Sequence, residues 1–395
     1  MAPSEIEIQP AIAQRLKLLH EHGLTRVRRM LGGPQGTLIN LDGRNICNFC
    51  SNDYLGFANH PVLKEAVKQG VDKYGVGSGA SQLICGYSAA HSMLEEKLTE
   101  FTGRQRAILF STGYMANLAL VNTLLDKTGV VFADRLNHAS LLDAALIAQT
   151  RIKRFKHIDS ASLRTLLKKA GPCQKLVMTD TVFSMDGDIA PLPEYISVCR
   201  EAGALLMVDD AHGFGVFGNS GGGILEEYNL GADQVPLLMA TFGKALGTFG
   251  SFLAGDDELL EIFVQRARTL LYTTAPPPAL AYATVRALDL LKQEYWRREK
   301  LQHLVSQFIT GAKQLMLPVK HSISPIQALI VGDEEIAIDI SNRLLQKGIY
   351  ISPIRPPTVP KGTSRLRITL TADHTEAQVD QLLETLDELL VSENG

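Results

Sequence analysis

Short hydrophobic runs alternate with longer amphipathic stretches through the middle of the chain, from about residue 50 to residue 285. Each run is largely apolar without polar alternation, which is typical of strands covered on both faces. The runs occupy 107–110, 130–133, 176–179, 205–208, 237–240 and 251–254. This alternation predicts an α/β fold with a mostly parallel central sheet and helices on both of its faces.

The N-terminal part follows a different pattern. Apolar residues recur near helical spacing and predict a helix over 9–31, at positions Ile12, Leu16, Leu19 and Leu24. The segment 37–49 then has the alternation of a hairpin, with Asp42 and Gly43 as its turn. We expect residues 1–48 to form an N-terminal arm.

The C-terminal part mixes helices and strands. Three consecutive prolines at 276–278 open a predicted helix, and strands follow at 326–331 and 365–370. Thr375 and Gln378 have the spacing of a capping box before a last helix. We therefore expect a large domain over 49–288 and a smaller α+β domain over 289–395.

The composition excludes several classes of protein. The chain has 395 residues, of which 45% are hydrophobic, and a net charge of -3. Such a balance provides no basic surface for nucleic acid or for an anionic membrane. No apolar segment approaches the roughly 18 residues of a membrane helix, and the first residues lack the pattern of a secretory signal. We expect a cytoplasmic protein without nucleic-acid or membrane partners.

The cysteines carry little information. Five are too few for a disulfide framework in a chain of this length. Cys47 and Cys50 have CxxC spacing, which occurs in redox pairs and in half of a zinc site. No second pair lies at a zinc-ribbon distance, and the pattern around Phe49 is that of a strand. We expect two incidental thiols and no metal site.

Lys244 is the first candidate for chemistry. It follows the apolar run 236–240 and is preceded by Gly243, and open α/β sheets place their ligands at such strand ends. A half-buried amine loses hydration, so that its pKa falls towards the neutral, nucleophilic form. Taken alone, this stretch favours a surface lysine after a strand.

Asp209 and His212 strengthen that interpretation. The run 204–208 ends in Asp209, Asp210 and then His212. A buried carboxylate needs a cationic partner, and a protonated pyridine nitrogen is such a partner. A helix cap at Asp209 and a core histidine at His212 are the alternatives. Together with Lys244, however, the pattern favours a site for pyridoxal phosphate.

Further polar residues follow other predicted strands. Gly113 and Tyr114 would present backbone amides at a helix N-terminus, which suits a phosphate group. His138 lies just past a strand end, where it would either stack on a pyridine ring or face solvent. Arg365 and Arg367 lie in the last strand. We expect them on opposite sides, with one of them free to bind a substrate carboxylate.

With these residues assembled, the chain resembles the α-oxoamine synthases, the fold-type I pyridoxal-phosphate enzymes that join an amino acid to an acyl thioester. The resemblance extends from Arg26 to the final helix. It rests on six motifs, namely Ser51-Asn-Asp-Tyr-Leu-Gly56, Ser111-Thr-Gly-Tyr114, Asn137-His-Ala-Ser-Leu141, Val182-Phe-Ser-Met-Asp-Gly-Asp188, Asp209-Asp-Ala-His212 and Thr241-Phe-Gly-Lys244. Thr179-Asp180-Thr181 departs from the family, which more often has Glu followed by a small residue.

The resemblance implies a role for each site residue. Lys244 would carry the cofactor covalently and move the substrate Cα proton, Asp209 would pair with the pyridine nitrogen, and His138 would stack on the ring. Ser184 and His212 would contact the ring oxygen. The phosphate would be held by Gly113, Tyr114 and Thr241, and by Thr273 and Thr274 from a neighbouring subunit, which implies a homodimer. The substrate positions are Arg26, Asn52, Thr358 and Arg367.

The resemblance also implies a reaction. The segment around Pro356, Pro357 and Thr358 is similar to the branch that serves biotin synthesis, which condenses L-alanine with a pimeloyl thioester and releases CO2. Condensation of glycine with acetyl-CoA, or another reaction of the family, is the alternative. A catalytically inactive partner subunit is disfavoured because Lys244, Asp209 and His138 are all present. Whether the acyl carrier is CoA or an acyl carrier protein stays open, as do the chain length and the choice among alanine, glycine and serine.

Overall fold

A seven-stranded sheet forms the centre of the computed structural model, which describes residues 8–21 and 25–391. Its strands are β3 (Arg106–Phe110), β4 (Val130–Asp134), β5 (Arg151–Phe155), β6 (Lys175–Asp180), β7 (Leu205–Asp209), β8 (Leu237–Thr241) and β9 (Ser251–Gly255). Their spatial order is β3-β9-β8-β7-β6-β4-β5. β9 runs antiparallel to both neighbours and the other pairs are parallel. The mostly parallel sheet is confirmed.

Side chains of this sheet alternate between two hydrophobic cores, one on each face. On β6, Val177 belongs to one core, whereas Leu176 and Met178 belong to the other. The described helices are α1 (Ile8–Glu21), α2 (Pro61–Tyr74), α3 (Ala89–Thr102), α4 (Gly113–Leu124), α5 (Ala139–Ile147), α6 (Ser160–Lys168), α7 (Leu192–Ala202), α8 (Ile224–Glu227), α9 (Asp257–Arg266), α10 (Arg268–Leu271), α11 (Pro278–Gln293), α12 (Trp296–Gln314), α13 (Glu334–Gln346) and α14 (Glu376–Val391), with one π-helical turn at Gln82–Gly86. Continuous apolar runs are therefore explained by burial on both faces.

Two smaller sheets flank the central one. The first contains β10 (Val319–Lys320), β11 (Ile326–Gly332), β14 (Ser364–Thr369) and β13 (Pro353–Ile354) in that spatial order, all antiparallel. The second joins the hairpin of β1 (Leu38–Leu41) and β2 (Arg44–Asn48) to β12 (Ile349–Tyr350). The N-terminal hairpin thus pairs with the C-terminal part of the chain. The domain boundaries given above stay a prediction.

The predicted N-terminal helix is too long. The helix ends at Glu21, residues 25–30 have no regular secondary structure, and Leu24 lies outside the described residues. Beyond Leu19 the helical spacing depended on Leu24 alone, and the arginines at 26, 28 and 29 offer no apolar face. The hairpin turn is confirmed, since Asp42 and Gly43 have φ values of 50° and 83°, as a type I′ turn requires.

The two predicted helix starts in the C-terminal part are confirmed. α11 begins at Pro278. Before α14, the backbone N–H of Thr375 donates to Gln378 Oε1 at 2.9 Å, and the N–H of Gln378 donates to Thr375 Oγ1 at 3.2 Å. No helix in the described ranges is long and apolar enough to cross a membrane. The expected cytoplasmic location stays a prediction.

Candidate active site

The carboxyl ends of the parallel strands bring the predicted residues to one edge of the central sheet. Asp209 ends β7, His138 follows β4, and Lys244 follows β8 by three residues. β6 ends in Asp180, which is in register with Asp209 on the neighbouring strand. Because parallel strands end at the same edge, the fold concentrates acids, imidazoles and an amine there.

Lys244 is half-buried, as the sequence predicted. Its Nζ lies 2.9 Å from His212 Nε2. Burial is the main reason that the pKa of the Lys244 amine falls to about 8; Asp209 opposes this decrease and Arg367 contributes to it. A substantial fraction of the amine is therefore neutral near physiological pH, and this neutral form is the nucleophile.

His212 lies between Lys244 and the phenol of Tyr54. The Tyr54 hydroxyl is 2.6 Å from His212 Nδ1 and 3.3 Å from Asn52 Oδ1. Burial, together with the charge of Lys244, lowers the pKa of His212 well below its ordinary value. The ring is thus neutral. The ammonium form of Lys244 can only donate, so His212 Nε2 accepts from it, and the ring proton lies on Nδ1, facing the Tyr54 oxygen. The Tyr54 hydroxyl in turn donates to Asn52 Oδ1.

Asp209 and His138 are joined by two residues that the sequence analysis did not select. Asn117 Nδ2 donates to Asp209 Oδ2 at 2.8 Å and to Ser140 Oγ at 2.9 Å. Ser140 Oγ in turn lies 2.7 Å from His138 Nδ1, which also accepts from the Ser140 N–H at 3.3 Å. The Ser140 hydroxyl therefore donates to Nδ1 and fixes the His138 proton on Nε2. Burial lowers the pKa of His138, which keeps the ring neutral.

The acids around Asp209 have separate roles. Asp180 Oδ2 accepts from the backbone N–H of His138 at 2.7 Å, so the residue that departs from the family pattern supports the loop bearing His138. Burial, reinforced by Asp209, raises the pKa of Asp180 well above its ordinary value. Asp210 accepts from the Thr181 hydroxyl and from the N–H of Ile224 at 3.1 Å. Asp210 therefore points into the structure and leaves Asp209 as the acid of the site.

The N-terminus of α4 carries two of the residues that the sequence predicts to bind a phosphate group. Thr112 caps the helix through its side chain, which accepts from the N–H of Met115 at 3.2 Å. Gly113 and Tyr114 occupy the first turn, where backbone N–H groups have no partner within the helix. Thr241 Oγ1 accepts from the Gly243 N–H at 3.3 Å and donates to the Gly250 carbonyl at 2.9 Å. The helix N-terminus is therefore available to a phosphate group.

The expectation that Arg365 and Arg367 face opposite sides is wrong. Residues two positions apart in a strand share a face, and both guanidinium groups contact the turn that follows β6. Arg365 Nη1 pairs with Asp186, whereas Arg367 Nε donates to the Ser184 carbonyl at 2.5 Å. Arg367 also donates to Thr369 Oγ1 at 2.9 Å and to Asn52 Oδ1 at 3.1 Å. Among the described residues no carboxylate lies within ion-pair distance of Arg367.

Two adjoining clefts extend from this site. One of about 350 Å³ is lined by Asn52, Gly243 and Tyr350. The other, of about 630 Å³, is lined by Tyr350, Arg26 and Thr358. Arg26 and Thr358 thus lie together in the larger cleft, which shares Tyr350 with the cleft that borders the Lys244 loop.

Thr273 and Thr274 lie in a loop after α10, beside an exposed Tyr272. The Thr274 carbonyl accepts from Ser111 Oγ at 3.5 Å. The segment is therefore next to the anion site of its own chain. Its contact with a neighbouring subunit stays a prediction.

The predicted thiols have no partner in a disulfide, and Cys47 and Cys50 are both free. Burial raises the pKa of Cys47 to about 11 and that of Cys50 to about 12. Both thiols therefore stay protonated and unreactive near neutral pH.

Comparisons with known proteins show which family the chain resembles in sequence and in fold. The chain matches the family model described as aminotransferase class I and II over residues 44–386. It is 54% identical to the 8-amino-7-oxononanoate synthase of Nitrosococcus oceani over 95% of this chain and 100% of that protein. A solved 8-amino-7-oxononanoate synthase of Francisella tularensis has a TM-score of 0.78 at 30% identity, covering 89% of this chain and 99% of the other. A serine palmitoyltransferase of S. paucimobilis with PLP and myriocin bound has a TM-score of 0.90 at 31% identity, covering 96% of each chain.

Proposed function

The chain belongs to the class I and II aminotransferase family, and we propose that it condenses L-alanine with a pimeloyl thioester to give 8-amino-7-oxononanoate, CO2 and the free thiol of the carrier. One observation carries the proposal. The half-buried Lys244 amine lies at the sheet edge that also holds Asp209, in a chain 54% identical to a relative named for this product. The clefts beyond the Lys244 loop provide room for a long acyl chain.

We propose pyridoxal phosphate as the cofactor because the donors present fit its chemical groups. The amides of Gly113 and Tyr114 would hold its phosphate, Asp209 its pyridine nitrogen, and Ser184 and His212 its ring oxygen. His138 would lie against the ring, and Lys244 would bind the aldehyde carbon. When bound, the cofactor supplies a ring that stabilises negative charge on the amino acid α-carbon.

The tautomers fixed by the protein suit these roles. Asn117 and Ser140 hold His138 neutral and oriented, while Asn117 also holds Asp209. Tyr54 contacts His212 at Nδ1 and holds the neutral ring so that Nε2 faces Lys244 at the centre of the site. Lys244, as a neutral amine, accepts the proton that leaves the α-carbon of alanine and later returns one.

Arg367 is the proposed carboxylate-binding residue. Its guanidinium is buried and held by three neutral oxygens, so that its charge is not compensated by an acid of the described chain. A substrate carboxylate would supply the compensating negative charge through strong, charge-assisted hydrogen bonds. Arg365 is unsuited to the role because Asp186 already neutralises it. A carboxylate held at Arg367 and Asn52 leaves the Cα–H bond free to face Lys244.

The acyl chain is proposed to occupy the clefts that meet at Tyr350, with Arg26 and Thr358 at the outer one. Each buried CH2 contributes about 0.8 kcal/mol, so a slot that fits a pimeloyl group discriminates strongly against acetyl. The carrier is CoA or an acyl carrier protein. The proposed active species is a homodimer in which Thr273 and Thr274 reach the phosphate of the neighbouring site.

The test compares turnover of L-alanine with pimeloyl-CoA against turnover of glycine with acetyl-CoA, with Lys244→Ala as an inactive control. We expect the first pair to be faster by orders of magnitude, and Arg26→Ala to slow it selectively. Faster turnover of glycine with acetyl-CoA would contradict the proposal. Unchanged kinetics in Arg26→Ala would place that residue outside the acyl site.

A further inference from the structure

The turn of residues 183–188 connects the central sheet to the antiparallel sheet that carries Arg367. The turn is closed by a hydrogen bond from the Phe183 N–H to the Asp188 carbonyl at 2.9 Å. Ser322, beyond β10 in the other sheet, donates from its hydroxyl to the Gly187 carbonyl at 2.7 Å. A Cβ atom at Gly187 would lie 2.5 Å from the Ile326 carbonyl oxygen. The turn therefore rests directly on the second sheet.

A set of ion pairs fastens the turn to that sheet. Asp186 pairs with Arg365 through one oxygen and with Lys320 Nζ at 3.3 Å through the other. Asp188 Oδ2 lies 2.6 Å from the same Lys320 Nζ. We call these four residues (Asp186, Asp188, Lys320 and Arg365) the Asp186 cluster. Lys320 is on β10 and Arg365 on β14, so both cations come from the sheet of Arg367.

His157 extends the cluster towards the active site. Its Nε2 lies 2.9 Å from Asp188 Oδ2, and its Nδ1 lies 2.9 Å from Asp134 Oδ1. Burial lowers the pKa of His157, but hydrogen bonds to the two carboxylates outweigh it and raise the pKa to about 9. Asp134 also accepts from the N–H of Leu136, in the loop that bears His138. Ion pairs thus connect Asp134 to β14, and a backbone hydrogen bond connects Asp134 to the His138 loop.

The turn reaches Arg367 through one atom. The Ser184 carbonyl, two residues before Asp186, accepts from Arg367 Nε at 2.5 Å. If the turn shifts, this acceptor shifts with it, and the guanidinium loses the contact that fixes its plane. A misplaced guanidinium binds a carboxylate less well, because charge-assisted bidentate contacts depend on geometry.

We propose that the Asp186 cluster is a positioning device for Arg367, in which Asp186 and Lys320 hold the Ser184 carbonyl where it orients the guanidinium for the amino-acid carboxylate. The inference rests on the proposed function, since it assigns Arg367 to an amino acid. Lys320, Asp186 and Asp188 do not contact Arg367 in the structure. They act on it through the turn.

The experiment measures binding of L-alanine to the pyridoxal-phosphate holoenzyme from the change in visible absorbance, without any acyl thioester. Lys320→Met and Asp186→Asn are expected to weaken alanine binding about three- to thirty-fold, the range for mutations that act through a connected network. Cofactor affinity is expected to change little. In a separate turnover assay with the acyl thioester, kcat at saturating alanine is also expected to change little. Lys320→Arg, which keeps the positive charge, is expected to retain the alanine affinity of the wild type.

Two controls separate positioning from a general loss of stability. Lys347→Met removes a comparable ion pair of the C-terminal part, 2.7 Å from Glu388, and is expected to leave alanine affinity unchanged. In an Arg367→Ala background, Lys320→Met is expected to have no further effect, because the residue through which it acts is gone. Unchanged alanine affinity in Lys320→Met, an undiminished effect in the Arg367→Ala background, or an equal loss in Lys347→Met would overturn the inference.

The same data separate this inference from the proposed function. If the wild type binds glycine or serine instead of alanine, the proposed substrate is wrong, and the variants are compared with the amino acid that binds. If the wild type binds alanine and the cluster variants bind it equally well, only the positioning role is refuted. If no amino acid binds the holoenzyme, both are refuted.

Discussion

The ionisation of Lys244 in the cofactor-free protein provides a direct measurement of the candidate site. Burial lowers the pKa of this amine from 10.5 to about 8. At pH 7.5, an amine with a pKa near 8 is about one-quarter neutral, whereas one near 10.5 is about 0.1% neutral. The fold thus raises the neutral, reactive population about 200-fold.

The perturbations follow from the neighbouring charges. Arg367 lowers the pKa of Lys244, so Arg367→Met should raise it and make the amine less reactive at pH 7.5. Asp209 raises the pKa of Lys244, so Asp209→Asn should lower it below about 8. The two substitutions therefore shift the titration in opposite directions, which a general change in folding would not do.

The assay is competitive acetylation of the apo protein between pH 6 and pH 11, with the modification of each lysine quantified by mass spectrometry. The exposed Lys127 serves as the internal reference for reagent reactivity. The Lys244 midpoint is expected near pH 8, well below the ordinary lysine value of 10.5. A Lys244 midpoint near 10.5, or shifts of the same sign in Arg367→Met and Asp209→Asn, would refute the electrostatic argument.

Two further predictions concern the substrate and the assembly. Arg367→Ala should weaken the binding of L-alanine by about 1.5–3 kcal/mol, or roughly 10- to 150-fold, because a charge-assisted carboxylate contact is lost. The affinity for pyridoxal phosphate should stay nearly unchanged, and titrations with each ligand measure both. A larger loss of alanine affinity in Arg365→Ala would show that Arg365 binds the carboxylate instead. Sedimentation should give a dimer. If the Thr274 loop serves the neighbouring site, mixing inactive Lys244→Ala with inactive Thr274 variants should restore activity in hybrid dimers. A fully active monomer would contradict the predicted dimer.

The strands of the central sheet could be predicted because their burial is written in local sequence. All six predicted runs lie within strands, namely β3, β4, β6, β7, β8 and β9. β5 was missed because its sequence, Arg-Ile-Lys-Arg-Phe, places cations at an edge with one paired neighbour. An edge strand needs no continuous apolar run, so hydrophobic periodicity does not identify it.

The polar contacts of the site could not be predicted in the same way. Tyr54 and His212 are 158 residues apart, and Asn117 and Asp209 are 92 residues apart. A sequence pattern reports neighbours along one element, whereas these pairs are set by how separate strands and helices pack. The signal available for Asn117 was a polar side chain within the otherwise apolar stretch 115–121 of α4, at a position that proves to be buried. Such a residue needs a partner, even though its partner is not identified by sequence.

The two arginines of β14 illustrate what three-dimensional structure adds to a motif. They share a face and have nearly the same burial, so neither strand alternation nor exposure distinguishes them. The groups that each guanidinium contacts do distinguish them. Asp186 neutralises Arg365, whereas Arg367 meets neutral oxygens and lowers the pKa of both Lys244 and His212. An uncompensated cation that acts electrostatically on the nucleophilic amine is the natural place for a substrate carboxylate, and binding it there would raise the pKa of Lys244 as alanine enters.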